Sequence, residues 1–269
     1  MTTISTYAPG GSSPLYAPPM RLTRLGIPKL WREDPELLWF PVRWGVAATM
    51  CAVLAPGSRG YGLDRVPMEG GFVMAANHLA AIDHTLIGIN SPRAIFYMAK
   101  AELLAMPVIG ELLTWTGCFP VRRGEADRDA LREARRLVRE GHVVGVHVEG
   151  TRQRLGYPGR AKIGGMMIAM QEGVPIVPCG VETFGWRVKR NRRACAAVWG
   201  DPISVEGFSR DRAGYDALTE LVTAEIVKLW RLAGEAVMND FPAELSDGAR
   251  RYHPYLYPVF TDGLVPVPG

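Results

Sequence analysis

The sequence predicts an α/β protein with a mixed, largely parallel central sheet flanked by helices, preceded by an N-terminal helical segment that associates with a membrane. Three observations carry that prediction. From about Gly71 onward, short apolar runs recur, each followed by a Gly- or polar-rich turn and then a helical stretch, the alternation expected of α/β chains. Several of those runs are continuous instead of alternating, as in strands covered on both faces. Ahead of them, the nineteen residues 37–55 hold Trp39, Phe40, Trp44 and a further apolar stretch.

In chain order, residues 1–30 read as a mobile tail, rich in Pro, Gly, Ser and Thr, with no basic residue before Arg21 and no apolar core of a secretory signal. Residues 31–60 are the expected membrane-associating segment. A spanning helix needs about 20 predominantly apolar residues, and Pro41 and Arg43 interrupt this one, a central Arg costing about 2.5–3.5 kcal/mol on insertion scales. The segment therefore reads as interfacial, with a buried helix of a soluble protein as the plainer alternative.

Residues 61–243 form the expected main domain. Its predicted strands are residues 72–76, 94–98, 143–148, 176–181 and 194–199, with helices between them. In 127–140, Leu131, Ala134, Leu137 and Val138 fall at helical spacing, and Arg128, Arg132, Arg135, Arg136 and Arg139 take the other positions as a solvated face. A second helix is predicted over 215–238, where Leu218, Leu221, Val222, Ile226 and Leu229 repeat at three and four. Residues 244–269 lose periodicity, become rich in Pro and Tyr, and read as an irregular tail.

Composition narrows the class. With 269 residues, 48% apolar and 22% charged, the chain is neither disordered nor fibrous, and its length allows one large domain with an appendage. Of 31 basic residues only 5 are Lys and the remaining 26 are Arg; Arg forks suit phosphate and carboxylate groups. A net charge of +4 fits an anionic substrate or membrane surface and falls short of a nucleic-acid footprint, so no nucleic-acid partner is expected. Cys51, Cys118, Cys179 and Cys195 lie far apart with no Cys-x-x-Cys or zinc-like spacing, which fits a reducing cytosol.

Four segments carry candidate chemistry. Asn77 and His78 follow the first predicted strand, and Asp83 comes five residues after His78. In an unbroken helix those two positions are about 140° out of line, so they meet only across a bend. A strand-to-helix turn supplies one, and there the carboxylate can fix the imidazole tautomer and leave the other ring nitrogen as a general base. The bland alternative is a satisfied structural pair. A metal set of His78, Asp83 and His84 is a third reading, and no further His or carboxylate cluster in the sequence completes it. The second segment, Gly117 to Gly124, delivers Arg122 and Arg123 to a Gly turn. The third, Glu149, Gly150, Thr151 and Arg152, follows the strand 143–148. The fourth, Val174-Pro175-Ile176-Val177-Pro178, is an apolar strand start fenced by prolines.

In this order the four segments resemble the glycerolipid acyltransferase family. That family shows Asn-His, four residues and Asp; a Gly-x-x-Phe-Ile-x-Arg block; Phe-Pro-Glu-Gly-Thr-Arg; and Val-Pro-Ile-Val-Pro. The likeness extends over residues 65–202 and includes Lys162 ahead of Gly164 and Gly165. Pro120 stands where the second block usually has Phe, and His147 and Val148 stand in place of Phe-Pro before Glu149.

The resemblance implies an O-acyltransferase that moves a fatty acyl group from an acyl thioester to the free hydroxyl of 1-acylglycerol-3-phosphate, giving phosphatidate. His78 is then the general base and Asp83 its orienting carboxylate. Acceptor binding falls to Arg123 with Arg122 as a helper, and to Glu149, Gly150, Thr151 and Arg152. No metal or organic cofactor is expected; acyl-CoA or acyl carrier protein brings the acyl group as a cosubstrate. The expected partners are that donor, a lysophospholipid and a membrane surface, with the protein on the cytoplasmic face of the membrane as a peripheral or monotopic enzyme. The basic cluster Arg187, Lys189, Arg190, Arg192 and Arg193 is either an aid against anionic headgroups, at about 1 kcal/mol per residue, or a solvated hairpin loop. Rival functions are the same reaction on another lysolipid or a non-glycerol alcohol, a catalytically silent lipid-binding protein, and a metal-dependent hydrolase.

Overall fold

The structure is a computed structural model describing residues 45, 48–55, 58–107, 110, 113–114, 117–122, 127–185 and 195–239. The predicted tails 1–30 and 244–269, most of residues 37–47, Arg123 and the basic cluster from Arg187 to Arg193 lie outside the described residues.

The strands are β1 (Arg59–Tyr61), β2 (Phe72–Ala76), β3 (Ile95–Lys100), β4 (Phe119–Val121), β5 (Val143–His147), β6 (Ile176–Glu182) and β7 (Ala196–Trp199). The helices are α1 (Ala48–Leu54), α2 (Asp83–Ile89), α3 (Ala101–Leu104), α4 (Arg128–Arg139), α5 (Gly164–Glu172) and α6 (Arg212–Met238). All seven strands share one sheet in the order β1-β7-β6-β2-β5-β3-β4. Its pairs are parallel except β6 with β7, which are antiparallel, so the sheet is mixed and largely parallel as the runs predict. The continuous apolar strands β2, β5 and β6 lie at its centre. The sequence reading does not mark β1 and β4, because three residues at an edge leave no pattern to count.

Alternate residues of the strands feed two cores. One face collects Phe72, Met74, Ile95, Tyr97 and Val177 beneath Leu86 and Ile87 of α2. The other collects Val73, Ala75, Phe96 and Val144 beneath α4, α5 and α6, through Leu137, Met166 and Leu218 among others. At about 25 cal/mol per Å² of apolar surface removed from water, this burial on both faces is the main stabilising contribution. At Gly180 of β6 a Cβ would sit 2.1 Å from the backbone nitrogen of Trp230 in α6, so only Gly lets that helix lie against the strand.

Asp127, at the predicted start of the arginine-rich helix, caps α4 by accepting from the backbone N–H groups of Asp129 (3.1 Å) and Ala130 (3.0 Å). Its other oxygen accepts from the backbone N–H of Arg122 at 2.8 Å, tying the end of β4 to the helix. The α4 arginines are more than a solvated face. Arg135 and Arg139 both reach Glu172 at the end of α5, a clip between neighbouring helices. In α1, the described part of the apolar N-terminal stretch, seven residues are helical. No helix among the described residues is long and apolar enough to cross a membrane.

Candidate active site

Because β2 to β6 run the same way, their carboxyl ends share one edge of the sheet, where open α/β sheets hold their ligands. His78 lies two residues past β2, Arg122 one past β4, Glu149 two past β5 and Thr183 one past β6.

The bend between β2 and α2 closes the His78–Asp83 pair. His78 Nδ1 and Asp83 Oδ2 are 2.8 Å apart, and both residues are buried, at 6% and 0% exposure. The same Oδ2 accepts from the backbone N–H groups of Leu79 (2.7 Å) and Ala80 (2.9 Å). Oδ1 accepts from the Thr183 hydroxyl at 2.6 Å. These backbone and hydroxyl donors compensate for taking the carboxylate out of water, and its position as the first residue of α2 adds the favourable end of the helix dipole. Since Oδ2 acts as an acceptor towards its other neighbours, Nδ1 carries the hydrogen, and the lone pair of His78 is on Nε2.

Two residues outside the predicted set hold the pair in place. The Asn77 side-chain amide donates to the Val181 carbonyl and accepts from the Val181 N–H, both at 2.8 Å. It thereby continues the β2–β6 ladder for one more rung after the backbone has turned away, which sets where His78 begins. Thr183, fully buried, fixes the rotation of the Asp83 carboxylate from the end of the neighbouring strand β6. Asn77 is legible as part of the first motif. Thr183 carries no local signal, being 100 residues from Asp83.

The Glu149 segment is fastened to the same place. The Val148 N–H donates to the Ala76 carbonyl (3.0 Å) and the Gln153 N–H to the His78 carbonyl (2.7 Å), so the loop carrying Gly150, Thr151 and Arg152 is tied at both ends to the backbone around His78. Gly150 has φ +70°, in the left-handed region, and a Cβ there would lie 3.0 Å from Lys162 Nζ. The glycine is thus needed for the turn itself. Thr151 and Arg152 are exposed. Arg122 is also exposed, but β4 is three strands from β2, about 14 Å at the usual strand spacing. The structure brings the first and third segments together and leaves Arg122 at the rim.

Glu149 is only 3% exposed and accepts from the Gly159 N–H at 3.3 Å. Burial pushes its carboxyl up from the ordinary 4.5 to about 8, with the Asp83 charge acting in the same direction and backbone N–H donors against it. The folded protein therefore binds a proton there that the unfolded chain releases near 4.5. The stability gained from it is full below pH 4.5 and is lost as pH rises through about 8. Wild-type protein is accordingly expected to lose several degrees of Tm between pH 6 and pH 9, and E149Q, which imitates the protonated acid, to lose measurably less. A thermal-melt series over that range checks the difference.

The sequence reading also misses His147. The β2–β5 register sets it opposite Ala76, so its ring stacks on that of His78 at 4.1 Å between centroids. His84 stands edge-on to both, at 5.1 Å and 4.4 Å. The expectation that no further His completes a set with His78 and His84 is thereby corrected, because strand pairing supplies one from 69 residues away in sequence.

A family model described as Acyltransferase matches residues 58–182. The 1-acyl-sn-glycerol-3-phosphate acyltransferase of Bacillus subtilis is 32% identical over 65% of this chain and 89% of its own length. The enzyme of that name from Borreliella burgdorferi is 29% identical over 44% of this chain and 48% of its own. The crystal structure of the 1-acyl-sn-glycerophosphate (LPA) acyltransferase PlsC from Thermotoga maritima superposes with a TM-score of 0.60 at 22% identity, covering 84% of this chain and 94% of that one, a likeness of fold. A relative 32% identical and matched over 89% of its length shows the family: the chain belongs to the acyltransferase family, as a glycerolipid O-acyltransferase.

Proposed function

We propose that the protein acylates the free hydroxyl of 1-acylglycerol-3-phosphate from an acyl thioester, acyl-CoA or acyl carrier protein, to give phosphatidate. The observation that carries this reading is the His78–Asp83 pair, hydrogen-bonded through the His78 carbonyl to the loop that carries Arg152. His78 Nε2 takes the proton of the acceptor hydroxyl as its oxygen attacks the thioester carbonyl. The tetrahedral intermediate then expels the thiolate, which recovers that proton from the imidazolium. The acyl group passes directly from sulfur to the acceptor oxygen, with no acyl-enzyme. A positioned base contributes about 10²- to 10⁴-fold, and Asp83 stabilises the imidazolium while it exists. A membrane setting is supported by the exposed apolar side chains Leu103, Met106 and Leu155, which follow β3 and β5 at the same sheet edge as His78. The reading places the enzyme on the cytoplasmic face of the membrane, peripheral or monotopic, with the residues around α1 as the anchor.

Phosphate recognition is assigned to Arg152, with Arg123 and Arg122 as helpers. A phosphomonoester carries close to two negative charges near pH 7, and a charge-assisted hydrogen bond contributes about 1.5–3 kcal/mol. R152A is expected to lower acceptor kcat/KM for lysophosphatidate by about 10- to 150-fold, at 1.36 kcal/mol per tenfold. R152K should recover part, keeping the charge and losing the fork. With monoacylglycerol, which lacks the phosphate, the same substitution should matter little. Equal losses on both acceptors, or a wild-type preference for monoacylglycerol, would sink the phosphate reading and leave another lysolipid or a neutral alcohol as the acceptor.

A further inference from the structure

We propose that His78, His84 and His147 form a binding site for a divalent transition cation of the zinc type, whose occupation silences the base. One nitrogen from each imidazole lies within 4.8 Å of the other two. A tetrahedral ion with nitrogen ligands at 2.0–2.1 Å needs them about 3.4 Å apart, so the nitrogens must close by about 1.4 Å and the stacked rings of His78 and His147, now 21° from parallel, must splay until both lone pairs meet the ion. Two of the three rings already have the outer contacts of metal-bound histidine, whose second nitrogen typically donates to a carboxylate or a carbonyl. His78 Nδ1 donates to Asp83 Oδ2 and His147 Nδ1 to the Asn77 carbonyl, each at 2.8 Å. These contacts put the hydrogen of each ring on Nδ1 and leave the lone pair on Nε2. Three imidazoles without a carboxylate ligand suit zinc, copper or nickel and disfavour magnesium and calcium.

The sheet assembles the site: the Ala76–His147 register places His147 beside His78. His84 and His147 are half-buried, which leaves a route for an ion. The consequence for catalysis rests on the function proposed above: the lone pair that would bind the ion is the one that takes the acceptor proton, so the two uses exclude each other.

The full-length protein, stripped with chelator and dialysed, is titrated with Zn²⁺ against a chromophoric zinc indicator. One equivalent per chain should bind, with affinity reduced at least about tenfold in H147F and in H84Q. H147Q and circular dichroism separate a lost ligand from a lost fold. Acyl transfer by wild type should fall in proportion to zinc occupancy and return with EDTA, whereas H147F, relative to its own metal-free rate, should resist the same zinc. Undiminished binding in the histidine variants, activation by zinc, or binding without inhibition would each overturn the proposal. If zinc binds at the cluster and no acyl transfer is seen with or without metal, the failure belongs to the proposed function, since binding is read without turnover.

Discussion

His78→Ala is expected to abolish acyl transfer in a protein that still folds. The hydroxyl of the acceptor is a poor nucleophile at neutral pH, and in the proposed mechanism His78 Nε2 is its base; the loss removes the about 10²- to 10⁴-fold that such a base supplies. The fold should survive because the partner is not stranded. Asp83 Oδ2 keeps the backbone N–H groups of Leu79 and Ala80, and Oδ1 keeps the Thr183 hydroxyl, so no charge is left buried without donors. Thiol release from acyl-CoA on adding lysophosphatidate, beside a circular dichroism spectrum and melt, measures both halves. Turnover at the wild-type rate in a folded H78A protein would overturn the mechanism.

Asp83→Asn is expected to lower kcat by about 10²- to 10⁴-fold, the range up to that seen when the carboxylate behind a catalytic histidine is made neutral. The asparagine has two ways to sit. With its oxygen in the place of Oδ2 it still accepts from Leu79, Ala80 and His78, and its amide meets the Thr183 hydroxyl, which can rotate to accept. The tautomer is then preserved, but the imidazolium formed in the reaction loses its counter-charge. In the flipped orientation the amide meets two backbone N–H donors and forces His78 Nδ1 to accept, which moves the hydrogen to Nε2 and removes the base. Both routes act on the chemical step, so KM should move far less than kcat. A D83N enzyme with unaltered kcat would show that Asp83 only shapes the turn.

Much of this protein was legible before any coordinates. The strand 72–76 coincides with β2, and the helices predicted over 127–140 and 215–238 match α4 and α6 within a few residues, because apolar periodicity and capping residues act within a turn or two of the chain. His78 and Asp83 were legible for the same reason: five residues and one bend separate them. What local pattern could not supply is everything that depends on which strand lies beside which. The edge strands β1 and β4 exist only as partners of β7 and β3. Thr183 reaches Asp83 because β6 runs parallel beside β2, and His147 stacks on His78 because β5 does so on the other side with Ala76 opposite His147. The sequence by itself determined the alternation of elements and the pairing of His78 with Asp83; the tertiary structure decided the groups that hold and crowd them, since contacts across 69 to 104 residues follow from strand order and register, which no short window of sequence records.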